Sequence, residues 1–291
     1  MRTSEWIQGG FASAIAISAW LIPLSRQRRQ TISVLALFAL AGVGLSIASA
    51  YLLPPFPSTV LRDWLPVIIT LIPYWQTGQF FTGPNKKIEA WLLASDTWFF
   101  KFFSWNRWKL GHAMRLTREW AYSLCYPIVP LGLGTLYVAG LRRTADVYWF
   151  MVLVPTYICY AITPFFPALP PRSLIDRSRA EPSQPPKSKS RTFNLWLLKL
   201  GSIQAISFPS AHVASALGAS LAVWHYLPLA GAVFFAITFW IAVAAVAGRY
   251  HYAIDVLLGA VVSVVVYLVW RAEWIPSSLV TAPAITFVTP L

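Results

Sequence analysis

The sequence predicts an all-α protein, a polytopic bundle of transmembrane helices. Apolar residues make up 57% of the 291 residues and charged residues only 11%, whereas a soluble domain carries about 25% charge. The apolar residues also lie in long blocks, several of which reach the roughly 20 residues that a helix needs to cross a bilayer. Because the blocks are continuous and do not alternate with polar residues, helices are favoured over a β-barrel.

Each block is interpreted as one membrane segment, although Pro73 and Gln76 interrupt the third. Residues 1–56 are predicted to form two N-terminal helices, 57–272 a six-helix membrane domain and 273–291 a C-terminal tail. The eight predicted segments are 9–24, 32–54, 61–81, 117–140, 146–167, 208–227, 229–247 and 253–270.

Two longer connections, 82–116 and 168–207, are predicted to be basic loops at the membrane surface. The first contains NKKIEAWLLASDTWFFKFFSW, in which aromatic and aliphatic residues recur at helical spacing. The charged residues lie largely on the other, outer side; these are Lys86, Lys87, Glu89 and Lys101. This pattern is typical of a helix that lies in the interface with its aromatic face down. The stretch FNLWLLKL, 193–200, is predicted to be a second, shorter interfacial helix.

The net charge is +13. Because no soluble basic fold is apparent, this charge predicts contact with membrane lipids of anionic character and not with nucleic acid. Most lysines and arginines lie in the loops after segments 1, 3, 5 and 7, and the positive-inside rule would place those loops in the cytoplasm. We therefore predict a multi-pass protein of the cell membrane, and the sequence makes no prediction of oligomeric state.

Two short polar motifs stand at the ends of apolar segments. FPSAH, 208–212, opens one segment, and GRYHYAIDV, 248–256, opens another after a single helical hairpin. His212 and His251 are therefore predicted to lie at the same membrane face, with Asp255 one turn after His251. Arg249 precedes His251, and Arg172 follows the PALPP run at the same face. Ionisable groups at membrane depth are costly and are functional candidates by default.

This set of groups suits phosphoryl transfer through a phosphohistidine. A neutral imidazole can attack phosphorus when a carboxylate holds the proton on its other nitrogen, the role expected of Asp255 on His251. His212 is expected to protonate the leaving oxygen and then to activate the incoming water or alcohol. Arg172 and Arg249 are expected to bind phosphate oxygens. Ser210 and Ala211, at a helix N-terminus, are expected to add backbone amides and a hydroxyl.

Simpler interpretations exist for each group taken alone. An interfacial histidine is most often only amphipathic, Pro-Ser before an apolar run is usually a helix cap, and Arg172 alone could set topology. Two histidines and an aspartate could also bind a divalent metal. The neighbouring arginines argue against a cation there, so neither a metal nor another cofactor is predicted.

At these residues the chain resembles the type 2 phosphatidic acid phosphatase (PAP2) superfamily. PSAH is similar to the family's Pro-Ser-Gly-His motif, and HYAID to the end of its third motif. The resemblance implies that 57–272 is the catalytic domain, that His251 is the nucleophile, that Asp255 orients it and that His212 is the acid/base. The chain departs from the family where Ala245 occupies the third-motif arginine position and where TPFFPALPPR lacks the first motif's lysine and final proline. These departures are more similar to the branch of inositol phosphorylceramide and sphingomyelin synthases.

The sequence therefore predicts a lipid phosphate phosphatase. The alternatives are transfer of a phosphate-bearing headgroup to a lipid alcohol and a non-catalytic lipid-binding or transport protein. The resemblance implies an extracytoplasmic active site, opposite to the charge distribution. We expect the ring nitrogens of His212 and His251 to lie about 4–8 Å apart, beside a cavity that Arg172 borders and that opens laterally to lipid.

Overall fold

The protein is an all-α bundle in a computed structural model, which describes residues 1–102, 112–175, 189–203 and 205–272. The predicted tail 273–291 and the middle parts of both predicted loops lie outside these residues. No strand occurs in the described ranges. The helices are α1 Thr3–Leu21, α2 Arg26–Leu52, α3 Pro55–Trp64, α4 Pro66–Ile69, α5 Leu71–Gly78, α6 Lys86–Phe102, α7 His112–Ser123, α8 Ile128–Val138, α9 Ala145–Ile162, α10 Pro171–Ile175, α11 Lys189–Gly201, α12 Ala211–Tyr226, α13 Pro228–Ala247 and α14 Ala253–Arg271.

The chain runs between the two ends of the bundle as α1, α2, α3–α5, α7–α8, α9, α12, α13 and α14. At one end, called here the far end, the carboxylate of Asp146 accepts hydrogen bonds from the backbone N–H groups of Thr3 and Ser4 at 3.0 and 3.1 Å. At the other end, called the histidine end, α12 and α14 begin, and His212 and His251 lie there.

By length and apolarity, four helical stretches among the described residues could cross a membrane, and the bent pair α7–α8 would be a fifth. These are fewer than the eight segments predicted from the sequence. α12 has only 16 residues, α1 carries the polar side chains of Glu5 and Gln8, and α3–α5 is broken at Pro66. The protein is nevertheless a multi-pass membrane protein on this count. The four stretches are Arg26–Leu52, Arg142–Phe165, Pro228–Ala247 and Ala253–Arg271.

The two N-terminal helices pack against the rest of the bundle. The ring of Phe11 on α1 stacks on Tyr157 of α9 with centroids 4.4 Å apart, and buried Ala12 lies in one cluster with Ile69 of α4. Glu5 forms an ion pair with Arg62 at 2.8 Å. Residues 1–56 and 57–272 therefore share one packed interior.

Small residues bring α9, α12 and α14 close together. A Cβ added to Gly218 of α12 would lie 2.1 Å from the backbone oxygen of Met151, and one added to Gly259 of α14 would lie 2.4 Å from that of Ser210. The helices therefore meet backbone to backbone, which fixes the start of α12 against the first turns of α14.

Helices form at both predicted interfacial stretches, as α6 and α11. α6 exposes Trp91 and Trp98 and fully buries Leu92. It is also tied to the bundle by two carboxylates, because Glu89 accepts a hydrogen bond from the backbone of Leu169 at 3.0 Å and Asp96 from that of Ala253 at 2.7 Å. The sequence-based prediction that Glu89 lies on the outer side was therefore incomplete.

Candidate active site

His251 lies in the short turn between α13 and α14. The backbone N–H groups of Tyr250 and His251 both donate to the carbonyl oxygen of Ala245, at 2.9 and 3.1 Å. Arg249 adopts a positive φ of 60°, which turns the chain back at this point. The N–H of Tyr252 then donates to Asp255 Oδ2 at 3.0 Å and caps α14.

Asp255 holds the imidazole of His251 in one orientation. The distance from His251 Nδ1 to Asp255 Oδ1 is 3.1 Å, and the two residues are 4% and 0% exposed. A carboxylate only accepts hydrogen bonds, so Nδ1 must carry the proton. Nε2 then keeps its lone pair, which is the state required of a nucleophile.

His212, in the first turn of α12, lies directly against His251. Its Nδ1 is 3.3 Å from His251 Nε2, and the ring centroids are 5.4 Å apart. The 3.3 Å between the ring nitrogens is shorter than the expected range of about 4–8 Å. A phosphate can therefore reach Nε2 only after the His212 ring turns aside, since the two rings now touch.

Ser210 and Ala211 have structural partners in this conformation. Ser210 caps α12, because its side chain accepts from the N–H of Val213, and its own N–H donates to the carbonyl of Asp255 at 3.0 Å. The N–H of Ala211 donates to Ser207 Oγ at 3.1 Å. Their expected contact with phosphate stays a prediction, and the two amides would have to exchange these partners to make it.

Arg172 approaches the histidines from α10. Its backbone N–H donates to the carbonyl of Arg249 at 2.9 Å, and Nη1 donates to that of Tyr250 at 3.3 Å. Burial, and secondly the positive charge of Arg172, lower the pKa of His251 to about 3. His251 is therefore neutral at ordinary pH, and a guanidinium lies near enough to attract a phosphate.

Arg249, the second expected phosphate ligand, points to a different partner. Its Nη1 lies 3.5 Å from Asp96 Oδ2, and its guanidinium carbon lies 4.8 Å from the centre of the Phe100 ring. In this conformation Arg249 fastens the turn to α6 by charge and by cation–π contact. Its role as a replacement for the family arginine at Ala245 stays a prediction.

A buried polar network lies beside the site and was not predicted from the sequence. Glu119 of α7 accepts a hydrogen bond from the hydroxyl of Tyr250 at 2.6 Å and from Arg191 of α11 at 3.2 Å, and Asn194 donates to it at 3.2 Å. The ring of Tyr250 stacks on Tyr122 with centroids 3.8 Å apart. Glu119 was detectable as an ionisable residue inside a predicted span, whereas no sequence pattern indicated Arg191.

The ligand geometry does not suit the metal alternative. Nδ1 of His251 is directed at Asp255 and Nε2 at His212, so these three side chains do not converge on one point. Among the described residues, no three histidine, cysteine or carboxylate side chains are grouped to hold an ion. The site instead combines imidazoles with a nearby guanidinium.

A cavity of about 390 Å³ adjoins the site, and His212, Ala211 and Ser215 line one part of it. The rest of its wall is mostly apolar and comes from α4, α5, α8, α9 and α11. Arg172 is not among the lining residues, contrary to our expectation that it borders the cavity. Pockets of this size and character hold small organic ligands or parts of larger ones.

Comparison with known proteins gives one finding. The family model described as the PAP2 superfamily matches residues 86–269, which include Arg172, His212, His251 and Asp255. No curated protein matches. No solved structure matches either. The helices α1–α5 lie before the matched region.

Proposed function

Because the chain belongs to the PAP2 superfamily, whose members are generally phosphatases or phosphotransferases, we propose that it is a membrane lipid phosphate phosphatase acting through a phosphohistidine on His251. The observation that carries this proposal is the chain of contacts in which His251 Nδ1 faces Asp255 and His251 Nε2 faces His212. One imidazole there is oriented by a carboxylate, and a second imidazole touches its free nitrogen.

In the first step, Nε2 of His251 attacks phosphorus and forms the P–N bond while the bond from phosphorus to the ester oxygen breaks. His212, which takes up a proton when the anionic phosphate binds beside it, gives that proton to the leaving alcohol. Asp255 stays ionised and stabilises the positive charge that develops on His251. Arg172 offsets negative charge on the phosphoryl oxygens.

In the second step, His212 takes a proton from water, and the water oxygen attacks phosphorus. The P–N bond breaks, inorganic phosphate leaves and His251 returns to its neutral form. Both steps need His212 on the side of the departing or arriving oxygen, so its ring must move from the present 3.3 Å contact. The chain's own groups supply all proton transfers in this scheme, and no cofactor is proposed.

Lipid character of the substrate is supported by the mostly apolar cavity that reaches His212. The same intermediate could be captured by a lipid alcohol in place of water, which is the transferase alternative and fits the same cavity. Measuring both inorganic phosphate and phosphorylated acceptor from one labelled substrate distinguishes the two. A purified protein that forms neither product from phosphatidic acid or prenyl diphosphates would favour the non-catalytic lipid-binding alternative.

The roles of the two histidines are tested with leaving groups of different quality. His251→Ala should abolish turnover of alkyl and aryl phosphates alike, because the nucleophile is lost. His212→Ala should abolish steady-state turnover of both substrates, because the second step lacks its base, but should still release about one equivalent of p-nitrophenol from p-nitrophenyl phosphate, whose leaving oxygen needs no proton. A His212→Ala variant that releases no such burst, or a His251→Ala variant that releases one, would contradict the assigned roles.

Chelation tests the absence of a metal requirement in the proposed mechanism. We expect phosphate release to survive EDTA, since the Arg172 guanidinium and imidazoles supply the charge and proton transfer. Loss of activity in EDTA that zinc or manganese restores would overturn the phosphohistidine scheme.

A further inference from the structure

The cavity beside His212 is an elongated chamber between helices. On α9 its wall consists of Trp149, Val152, Thr156 and Tyr160, which recur every three or four residues and so form one stripe along the helix. On α4–α5 a matching stripe is formed by residues one turn apart. These are Val67, Thr70, Leu71, Tyr74 and Trp75.

The length of the chamber follows from the α9 stripe. At 1.5 Å per residue, the rise from Trp149 to Tyr160 is about 16 Å. Half of a bilayer's hydrocarbon core, which is about 30 Å thick in total, measures about 15 Å. The chamber is therefore as deep as one leaflet of a membrane.

One end of the chamber is the reaction centre. Thr163, just beyond α9, donates from Oγ1 to the carbonyl of Phe208 at 3.4 Å. This contact brings the Tyr160 end of the α9 stripe to the start of α12. His212 and Ser215 of α12 line this end. A molecule whose phosphate is at His251 would therefore extend its apolar part toward the other end.

Trp149 forms the other end. The side chain is 1% exposed, and its Nε1 donates to the backbone oxygen of Asp63 at 2.7 Å. A tryptophan that is buried and hydrogen-bonded in this way has a fixed position. It is a rigid floor about three helical turns below the histidines.

The chamber is also accessible from the side. Leu71, Trp75 and Tyr126 line it and are nevertheless 47%, 38% and 43% exposed. Leu71 and Trp75 belong to α5, whereas Tyr126 lies in the turn between α7 and α8. The mouth therefore lies between these elements, and its rim is apolar, as an opening toward lipid requires.

We propose that this chamber binds one hydrocarbon chain of the phosphate ester and that Trp149 limits the length of the chain that fits. The inference rests on the proposed function for the position of the phosphate. It assigns chain selection in part to α4–α5, which lie outside the region 86–269 that matches the family. The occupant is a single chain, since the space of about 390 Å³ is narrow for its depth.

The test compares dodecyl phosphate, whose extended chain is slightly shorter than the chamber is deep, with butyl phosphate as substrates of purified protein in detergent micelles. Thr156→Trp places an indole halfway along the chamber and should lower the ratio of kcat/KM for the long chain over the short chain by about tenfold or more. Leu71→Trp, at the exposed mouth, is a second variant less demanding of the fold and should lower the same ratio. Trp149→Ala removes the floor and should raise kcat/KM for hexadecyl phosphate, whose extended chain is longer than the chamber, relative to dodecyl phosphate.

Val233→Trp is the matched control, because Val233 lies on α13, is 58% exposed and does not line the chamber. We expect its ratio to equal that of the unchanged protein. The proposal would be overturned if the long-to-short ratio stays constant in Thr156→Trp and Leu71→Trp and the hexadecyl-to-dodecyl ratio stays constant in Trp149→Ala, with folding confirmed by size exclusion.

Binding separates this inference from the proposed reaction. Dodecylphosphonate, which cannot be hydrolysed, should raise the melting temperature of the unchanged protein more than butylphosphonate does, and Thr156→Trp should erase that difference. If no phosphate ester is hydrolysed but this binding pattern holds, the proposed function fails and the chamber stands. If esters are hydrolysed but the two phosphonates bind alike, the chamber assignment fails alone.

Discussion

At the scale of single residues, the contact between Asp255 and His251 makes the sharpest prediction. Asp255→Asn keeps the size of the side chain but can present an N–H to Nδ1, which favours the tautomer whose proton is on Nε2. We expect turnover to fall by several orders of magnitude, of order 10⁴-fold by analogy with other carboxylate–histidine pairs. Phosphate release from a lipid phosphate measures it.

The fold of this variant must be checked separately, because Asp255 also caps α14 through the N–H of Tyr252. The asparagine oxygen can still accept that bond, so the melting temperature should change little. Turnover close to that of the unchanged protein would mean that Asp255 does not orient the nucleophile.

The sequence was sufficient to place His212, His251 and Asp255 together, because the spacing along two helices determines which end of the bundle each group occupies. It was not sufficient for Arg249, whose side chain is directed by Asp96 and Phe100 on a helix more than a hundred residues earlier. Contacts of that kind have no local signature. Asp96 did carry a signal, since it falls on the same helical face as Leu92.

At the scale of elements, α6 packs against the turn that contains Arg249 and His251 and holds it in place. Asp96 accepts a hydrogen bond from the N–H of Ala253 at 2.7 Å, and burial raises the pKa of Asp96 to about 6 despite this bond and the nearby Arg249. A raised pKa means that the protonated carboxyl is favoured in the folded state. Its stabilising contribution is therefore complete below about pH 4 and is lost as pH rises through about 6.

Asp96→Asn removes this dependence, because the amide is neutral at every pH and keeps an oxygen for Ala253. We expect the variant to be more stable than the unchanged protein at pH 7 by of order 1–3 kcal/mol and to match it near pH 4. Melting temperatures in detergent between pH 4 and pH 8 provide the measurement. Two parallel curves would contradict the assignment.

The close approach of α9 and α12 makes a second element-scale prediction. Gly218→Ala would place a Cβ 2.1 Å from the carbonyl oxygen of Met151, and backbone cannot move aside as a side chain can. We expect a loss of about 1–3 kcal/mol in the free energy of unfolding. Thermal unfolding followed by circular dichroism measures it.

Gly44→Ala is the matched control, since nothing lies within 4 Å of a Cβ at Gly44. In a helix this substitution should be neutral or stabilising by less than about 1 kcal/mol. If both glycine variants behave alike, helix propensity and not the α9–α12 contact determines their stability.

At the scale of the whole molecule, the all-α class followed from composition and block length alone. The number of spans did not, because Pro66 divides α3–α5 and α12 is short. Both pack against neighbouring helices of the bundle, so a count of spans based on length and apolarity leaves them out. Packing of this kind between distant parts of the chain cannot be read from one segment at a time.

Orientation in the membrane can be tested with single cysteines at opposite ends of the bundle. Lys87 lies near the histidine end, and Arg143 is exposed at the far end. We expect Lys87→Cys to react with an impermeant maleimide in intact cells and Arg143→Cys to react only after permeabilisation, as an extracytoplasmic active site requires. The native Cys125 and Cys159 are buried and give little background. The reverse pattern would place the histidines in the cytoplasm, as the positive-inside rule suggests.

The apolar rim formed by Leu71, Trp75 and Tyr126 has a consequence for how the protein would meet the lipid phosphate proposed as its substrate. A substrate that enters through this rim arrives by two-dimensional diffusion in the membrane or micelle. Its encounter rate is therefore set by its mole fraction among the lipid or detergent molecules and not by its bulk concentration. Adding inert detergent at constant bulk substrate should therefore slow turnover in proportion to the dilution. A water-soluble ester should be indifferent to the same addition.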